Sequence, residues 1–89
     1  MPKPKPDLSM FEIHEIGALE LDLIIEFRTP LGKYWTEATP GKFVAVDNTT
    51  GDAWTEEFDE KELAIDWLNK KFEKGEEHAW KVLKMLERT

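Results

Sequence analysis

The sequence predicts an α+β fold, in which an antiparallel four-stranded β-meander is followed by one or two C-terminal α-helices packed on the sheet. Apolar and polar residues alternate over residues 19–28 and in short runs between residues 33 and 58, which is the period of half-buried strands. Turns with Pro or Gly join these runs, and such short connections pair consecutive strands antiparallel. Apolar residues recur at helical spacing after residue 58, so helices follow the strands.

The N-terminal residues predict a tail followed by one ambiguous segment. Pro and Lys alternate over residues 1–7, and each Pro disfavours helix at the residue before it, so a flexible, extended tail is expected. Residues 8–16 alternate like a strand, which would make the sheet five-stranded, and a helical turn ending at Gly17 is the alternative. A chain of 89 residues has room for one core, so residues 8–89 are predicted to form a single domain.

Residues 19–28 carry the clearest strand pattern. Apolar side chains occupy every second position from Leu19 to Phe27, and Ile24 is the only apolar residue at the positions between them. A strand with this pattern turns one face to the core and the other to solvent. The solvent face would then carry three carboxylates, those of Glu20, Asp22 and Glu26.

Three further strands are predicted at residues 33–38, 43–47 and 53–58, separated by turns that contain Pro, Gly or Asn. Within the first of them, Tyr34 and Trp35 are adjacent and must point to opposite faces of the sheet. Two interpretations follow. Either both faces are covered, by helix and by the N-terminal segment, or a Trp is exposed among carboxylates, as in the hot spots of protein interfaces.

The C-terminal residues predict two helices. Asp59 is a favourable N-cap residue, and Glu62 three positions later completes a capping box. An apolar stripe continues to Phe72, and Gly75 suits the end of a helix, so a second helix begins at Glu76. One long helix that contains the glycine is the alternative, at a cost of about 1 kcal/mol.

The net charge of −7 is distributed unevenly. Residues 51–66 hold seven acidic residues and only Lys61 as a base, whereas residues 67–89 have a net charge of +2. An acidic surface repels phosphate backbones and attracts basic protein surfaces, including those that hold nucleic acid. The expected partner is therefore a protein with a basic surface, although a net charge of this size also serves solubility.

Groups needed for catalysis are scarce. The chain has no Cys, which excludes thiol catalysis and thiolate zinc sites, and its two histidines, His14 and His78, are far apart in sequence. We therefore expect no enzyme activity, no cofactor and no metal site. No apolar run is long enough to span a membrane and the N-terminus lacks a signal-peptide pattern, so a cytoplasmic location is expected.

These observations favour a small acidic, non-enzymatic protein-binding module. The specific hypothesis is a phage or mobile-element inhibitor of the anti-CRISPR or anti-restriction type, which mimics nucleic acid by presenting carboxylates to a basic nucleic-acid-binding surface of its target. The alternative is a nucleic-acid-binding accessory protein that uses the basic C-terminal helix, although interspersed acids also explain those lysines as a solvated face. An exposed edge strand would further allow a homodimer. The candidate partner-binding residues are Glu20, Asp22, Glu26, Trp35, Glu37, Glu56 and Glu57.

The strand–strand–strand–helix order over residues 33–72 resembles the small three-stranded DNA-binding domains at the N-termini of tyrosine integrases. The junction at residues 58–67, Phe-Asp-Glu-Lys-Glu-Leu-Ala-Ile-Asp-Trp, is similar to the passage from the last strand into the helix of those domains. The resemblance covers under half of the chain and implies DNA binding through basic side chains on the sheet. Residues 33–58 differ, because Lys33 and Lys42 are their only basic residues, and no site residue is carried over.

Overall fold

The computed structural model describes residues 12–87, which form one open, mixed sheet with helices on both of its faces. The elements in chain order are β1 (Ile13–Glu15), α1 (Ala18–Phe27), β2 (Lys33–Thr39), β3 (Lys42–Asp47), β4 (Trp54–Phe58), α2 (Lys61–Leu68) and α3 (Glu77–Glu87), with a 3₁₀ turn at Lys74–Glu76. The strands lie in the order β1-β2-β3-β4. β1 is parallel to β2, and β3 is antiparallel to both β2 and β4.

Residues 19–28 form most of α1 rather than a strand, so the predicted four-stranded antiparallel meander is wrong. The helix carries the chain between the parallel strands β1 and β2, which cannot be joined by a tight turn. Leu21 and Ile24, three positions apart, are 3% and 7% exposed and face the sheet. Ile24, the one residue that broke the alternation, was therefore the signal for a helix. Apolar residues on both faces of α1 imitated the period of a strand.

The strand alternative for residues 8–16 is confirmed in its last part, because β1 pairs with the start of β2 from Ile13 to Glu15. The described sheet therefore has four strands, with β1 in the place expected for residues 19–28. The predicted tail at residues 1–7 lies outside the described residues.

Two apolar clusters lie on opposite faces of the sheet and separate the adjacent aromatic residues of β2. Tyr34 packs under α1, and Trp35 packs under α2, each no more than 7% exposed. Both faces are covered, as one of the two interpretations expected, but the second cover is α1, whereas the described part of the N-terminal segment forms the edge strand β1. The α1 cluster comprises Leu21, Ile24, Tyr34 and Val46, and the α2 cluster comprises Trp35, Ala45, Phe58, Leu63, Ala64, Leu68 and Phe72.

The two predicted C-terminal helices are confirmed, but their ends differ from expectation. Glu60, not Asp59, occupies the N-cap of α2, and no side chain caps this helix. α2 ends at Leu68, well before Gly75, and Lys70 then adopts a left-handed conformation with φ of 62°. This early end lets the Lys70 ammonium reach the buried carboxylate of Asp47 at 2.8 Å. No local sequence pattern predicts this ion pair, because the two residues are far apart in the chain.

Asn48 joins the turn before β2 to the turn before β4. Its side chain is fully buried, donates a hydrogen bond to the Pro30 carbonyl at 2.9 Å and accepts one from the Ala53 amide at 3.1 Å. Its backbone exchanges two further hydrogen bonds with Gly32. Four hydrogen bonds on one buried residue hold the end of the α1 layer against the sheet.

Candidate protein-binding surface on α1

Three of the seven carboxylates in the acidic stretch at residues 51–66 are paired with lysines that come later in the chain. Lys81 pairs with Asp59 at 3.1 Å, and Lys84 pairs with Glu62 at 2.9 Å and with Asp66 at 3.3 Å. Every ion pair between described side chains joins a lysine at positions 70–84 to a carboxylate at positions 47–77. The negative charge of residues 51–66 is therefore used within the fold at Asp59, Glu62 and Asp66.

Titration behaviour agrees with this pairing. The hydrogen bond from Lys81 holds the pKa of Asp59 below its usual value, and the same contact raises the pKa of Lys81. Burial alone would raise the pKa of Asp47, but hydrogen bonds from Lys70 and Thr49 outweigh it and keep that pKa low. These acids are internal partners of the fold rather than free charges.

The acids on β1 and α1 have no such partners. Residues 12–27 contain no Lys or Arg, and none of their carboxylates forms an ion pair with a described residue. All of them are exposed. Residues 12–27 of the described structure therefore carry a continuous run of exposed carboxylates without a Lys or Arg among them. The five acids are Glu12, Glu15, Glu20, Asp22 and Glu26.

An apolar stripe runs along the outer side of α1. Leu19, Leu23 and Phe27 recur every four residues and are 74%, 46% and 64% exposed. At about 100° per residue, Glu20 lies on one flank of this stripe, and Asp22 and Glu26 lie on the other. We call these six residues the α1 surface. It combines large apolar side chains with uncompensated carboxylates.

The local structure holds the α1 surface firmly in place. Leu21 and Ile24 anchor the inner side of the helix against Tyr34 and Val46 of the sheet. Arg28 ends the helix in a left-handed conformation, with its amide donating to the Ile24 carbonyl at 2.7 Å. The stripe is thus presented on a short helix that the core has already fixed, which reduces the ordering cost of binding.

The structure brings together three of the seven residues predicted to bind a partner. Glu20, Asp22 and Glu26 share the α1 surface, although on a helix rather than a strand. Trp35 is 6% exposed, with the Lys61 ammonium 5.1 Å from its ring centroid, so it is a core residue and not an exposed anchor. Glu37 accepts a hydrogen bond from the amide of Gly41 in the turn after β2. The other two, Glu56 and Glu57, lie on β4, away from α1.

Sequence reasoning missed the apolar half of the α1 surface, because a strand would have buried Leu19, Leu23 and Phe27. Their spacing of four residues was the available signal. It also missed Trp54, which is the exposed tryptophan, at 64%.

Comparison with known proteins gives no further guidance, since no protein-family model, curated protein or solved structure matches the chain. Within residues 12–87, no three His, Asp or Glu side chains are grouped to hold a metal ion. None of the described helices is long and apolar enough to cross a membrane.

Proposed function

We propose that this chain is a non-enzymatic protein-binding module that inserts the α1 surface into an apolar groove with a basic rim on another protein. The observation that carries the proposal is the exposed stripe of Leu19, Leu23 and Phe27 between carboxylates that no cation of the described residues neutralises. Docking of an amphipathic helix in a groove is a common mode of protein recognition.

The two parts of the α1 surface have different roles in the proposed complex. Burial of each large apolar side chain contributes about 1.5–3 kcal/mol before the costs of association. The carboxylates raise the association rate and select a partner with Lys or Arg at the rim of its groove. A second copy of the chain is a poor partner for this surface, because like carboxylates would face each other.

The more specific form of the proposal is an inhibitor that acts in the cytoplasm on a nucleic-acid-binding enzyme, as phage and mobile-element inhibitors of CRISPR or restriction enzymes do. Basic grooves that hold nucleic acid meet the charge requirement of the α1 surface. In this form of the proposal, the chain and nucleic acid compete for one surface of the target.

Nucleic-acid binding by the C-terminal helix receives less support. The ammonium groups of Lys74, Lys81 and Lys84 are held in ion pairs with carboxylates of the same chain. The solvent side of α3 carries apolar residues instead, including Val82 and Leu83 at 43% and 52% exposed. A helix of this kind does not offer the basic face that phosphate contacts need.

A charge-reversed variant tests the proposal in the source cell. Asp22→Lys/Glu26→Lys is expected to lose at least about 90% of the partner that co-purifies with the wild type, since rim charges that attracted now repel. The partner is quantified by mass spectrometry, and about 0.5 M NaCl in the wash is expected to release it because screening weakens exposed charge pairs. Glu60→Lys, which reverses an exposed acid at the start of α2, is the matched control and should retain the partner. Equal recovery with all three proteins would contradict the proposal.

A further inference from the structure

The free edge of β4 is a second surface with unused binding capacity. β4 is the last strand of the sheet and pairs only with β3 among the described residues. Gly32 and Asn48 exchange both of their backbone hydrogen bonds, which fixes the alternation along β2 and β3. Along β3, successive residues turn their backbone N–H and C=O groups alternately to one neighbouring strand and to the other. Residues 44 and 46 therefore bond to β2, and residues 43, 45 and 47 bond to β4.

The same alternation identifies which backbone groups of β4 point away from the sheet. Trp54, Glu56 and Phe58 face residues 47, 45 and 43 and bond to β3. Thr55 and Glu57 therefore direct their N–H and C=O groups to the outside. The Lys74 ammonium donates to the outward carbonyl of Glu57 at 2.6 Å, which agrees with this assignment.

A groove borders this edge on the α2 side. It has a volume of about 520 Å³, and the exposed ring of Trp54 and the rings of Trp67 and Phe72 contribute to its walls. The side chains of an added strand would point alternately into this groove and to the opposite face, over Thr55 and Glu57. The edge therefore offers backbone partners and a pocket for alternate side chains, the two components of recognition by strand addition.

Charge decides what kind of strand fits. Asp47, Asp59 and Glu77 near this edge are paired with lysines. Glu56 and Glu57 form no ion pair with a described residue, and they lie on opposite faces of β4. An antiparallel second copy of β4 would bring Glu56 against its own equivalent in one register and Glu57 against its own equivalent in another, which destabilises those pairings. A segment with cationic side chains would instead meet one carboxylate on each face.

We propose that the β4 edge binds an extended basic peptide segment of another protein by β-strand addition. The segment pairs its backbone with Thr55 and Glu57, and one of its Arg side chains stacks on Trp54 and reaches the carboxylate of Glu56. Arg suits this position because its planar guanidinium combines stacking with paired hydrogen bonds. Lys74 currently occupies the Glu57 carbonyl and must move aside. This surface is separate from the α1 surface, and either can fail without the other.

Synthetic peptides test the proposal directly. The probe is a fluorescein-labelled nonapeptide of alternating Thr and Arg, titrated against the full chain and followed by fluorescence anisotropy. It is expected to bind, and Trp54→Ala is expected to weaken binding by about threefold to tenfold through the lost stacking. Glu56→Gln should also weaken it, whereas Glu60→Gln, an exposed acid away from the edge, is the matched control. Replacement of every Arg in the peptide by Glu should abolish binding.

A second peptide distinguishes backbone pairing from simple charge attraction. It has the same side chains, but every second backbone amide is N-methylated and cannot donate a hydrogen bond. This peptide is expected to bind at least about tenfold more weakly, because main-chain hydrogen bonds supply the affinity in strand addition. The amides of Thr55 and Glu57 should exchange more slowly with solvent only in the presence of the unmethylated Arg peptide. Equal binding of the two peptides, or unchanged exchange at both amides, would overturn the proposal.

Lys74→Met provides an independent test with the opposite sign. This substitution frees the outward carbonyl of Glu57 and is expected to tighten binding of the Arg peptide severalfold. Weaker binding by this variant, or no binding at millimolar peptide to either this variant or the wild type, would overturn the proposal. A concentration-dependent dimer of the wild type that the Arg peptide fails to dissociate would identify the second copy as the occupant and would likewise overturn it.

Discussion

Leu68→Ala is expected to destabilise the fold by about 3 kcal/mol, within the range for buried leucines that leave a cavity. Leu68 is fully buried at the end of α2, in the cluster that contains Phe58 and Phe72. A domain of this size has a total stability of roughly 5–10 kcal/mol, so the loss is a large fraction of it. Urea unfolding followed by tryptophan fluorescence measures the change as a lower transition midpoint at unchanged slope.

Leu19→Ala makes the same chemical change on the α1 surface and is the matched control. Leu19 is 74% exposed, so its truncation should alter the free energy of unfolding by less than about 0.5 kcal/mol. A loss comparable to that of Leu68→Ala would show that the stripe on α1 is covered within the folded chain. That result would also remove the basis for assigning the stripe to a partner.

Asn48→Asp is expected to cost about 3 kcal/mol or more despite almost unchanged shape, because it places an acceptor and a charge where a donor is needed. The Asn48 amide donates to the Pro30 carbonyl at 2.9 Å from a fully buried position. In the variant, a carboxylate oxygen would face that carbonyl oxygen with no hydrogen between them. Urea unfolding at pH 7 measures the loss.

The control for Asn48→Asp is Asn69→Asp, at the exposed C-cap of α2. The added charge lies near the negative end of the helix dipole, so a loss of no more than about 1 kcal/mol is expected. Equal losses for the two variants would mean that Asn48 does not hold the two turns together through its side chain.

The sequence carried enough information to place the three antiparallel strands and both C-terminal helices. Turn residues at positions 39–42 and 48–51 define the ends of β2, β3 and β4, and local turn chemistry rarely depends on distant contacts. The adjacent pair Tyr34 and Trp35 correctly indicated that both faces of the sheet are covered. These features were predictable because neighbouring residues determine them.

The failure at residues 19–28 has a physical cause. α1 is apolar on its buried side and also on part of its exposed side. The additional apolar residues, Leu19, Leu23 and Phe27, produced an apolar residue at every second position, which is the pattern of a strand. An ordinary surface helix would have carried polar residues there. The error therefore coincides with the residues that we assign to partner binding, where sequence patterns serve function rather than folding.

The candidate site was predictable only in part. Glu20, Asp22 and Glu26 were identified because exposure of their side chains did not depend on the type of element. The pairing of Asp59, Glu62 and Asp66 was not predictable, because the packing of α3, and not local spacing, brings Lys81 and Lys84 to them. Such pairs decide which carboxylates remain available to a partner.

Photo-cross-linking in the source cell tests the binding role of the α1 surface most directly. A benzophenone amino acid replaces Leu23 at the centre of the stripe, or Val82 on α3 as the control, two helical positions with similar exposure of 46% and 43%. The account predicts one dominant protein adduct from position 23 and no such adduct from position 82. The adduct from position 23 should disappear when the same chain also carries Asp22→Lys/Glu26→Lys. Absence of an adduct at position 23, or the same adduct at both positions regardless of the charge reversal, would contradict it.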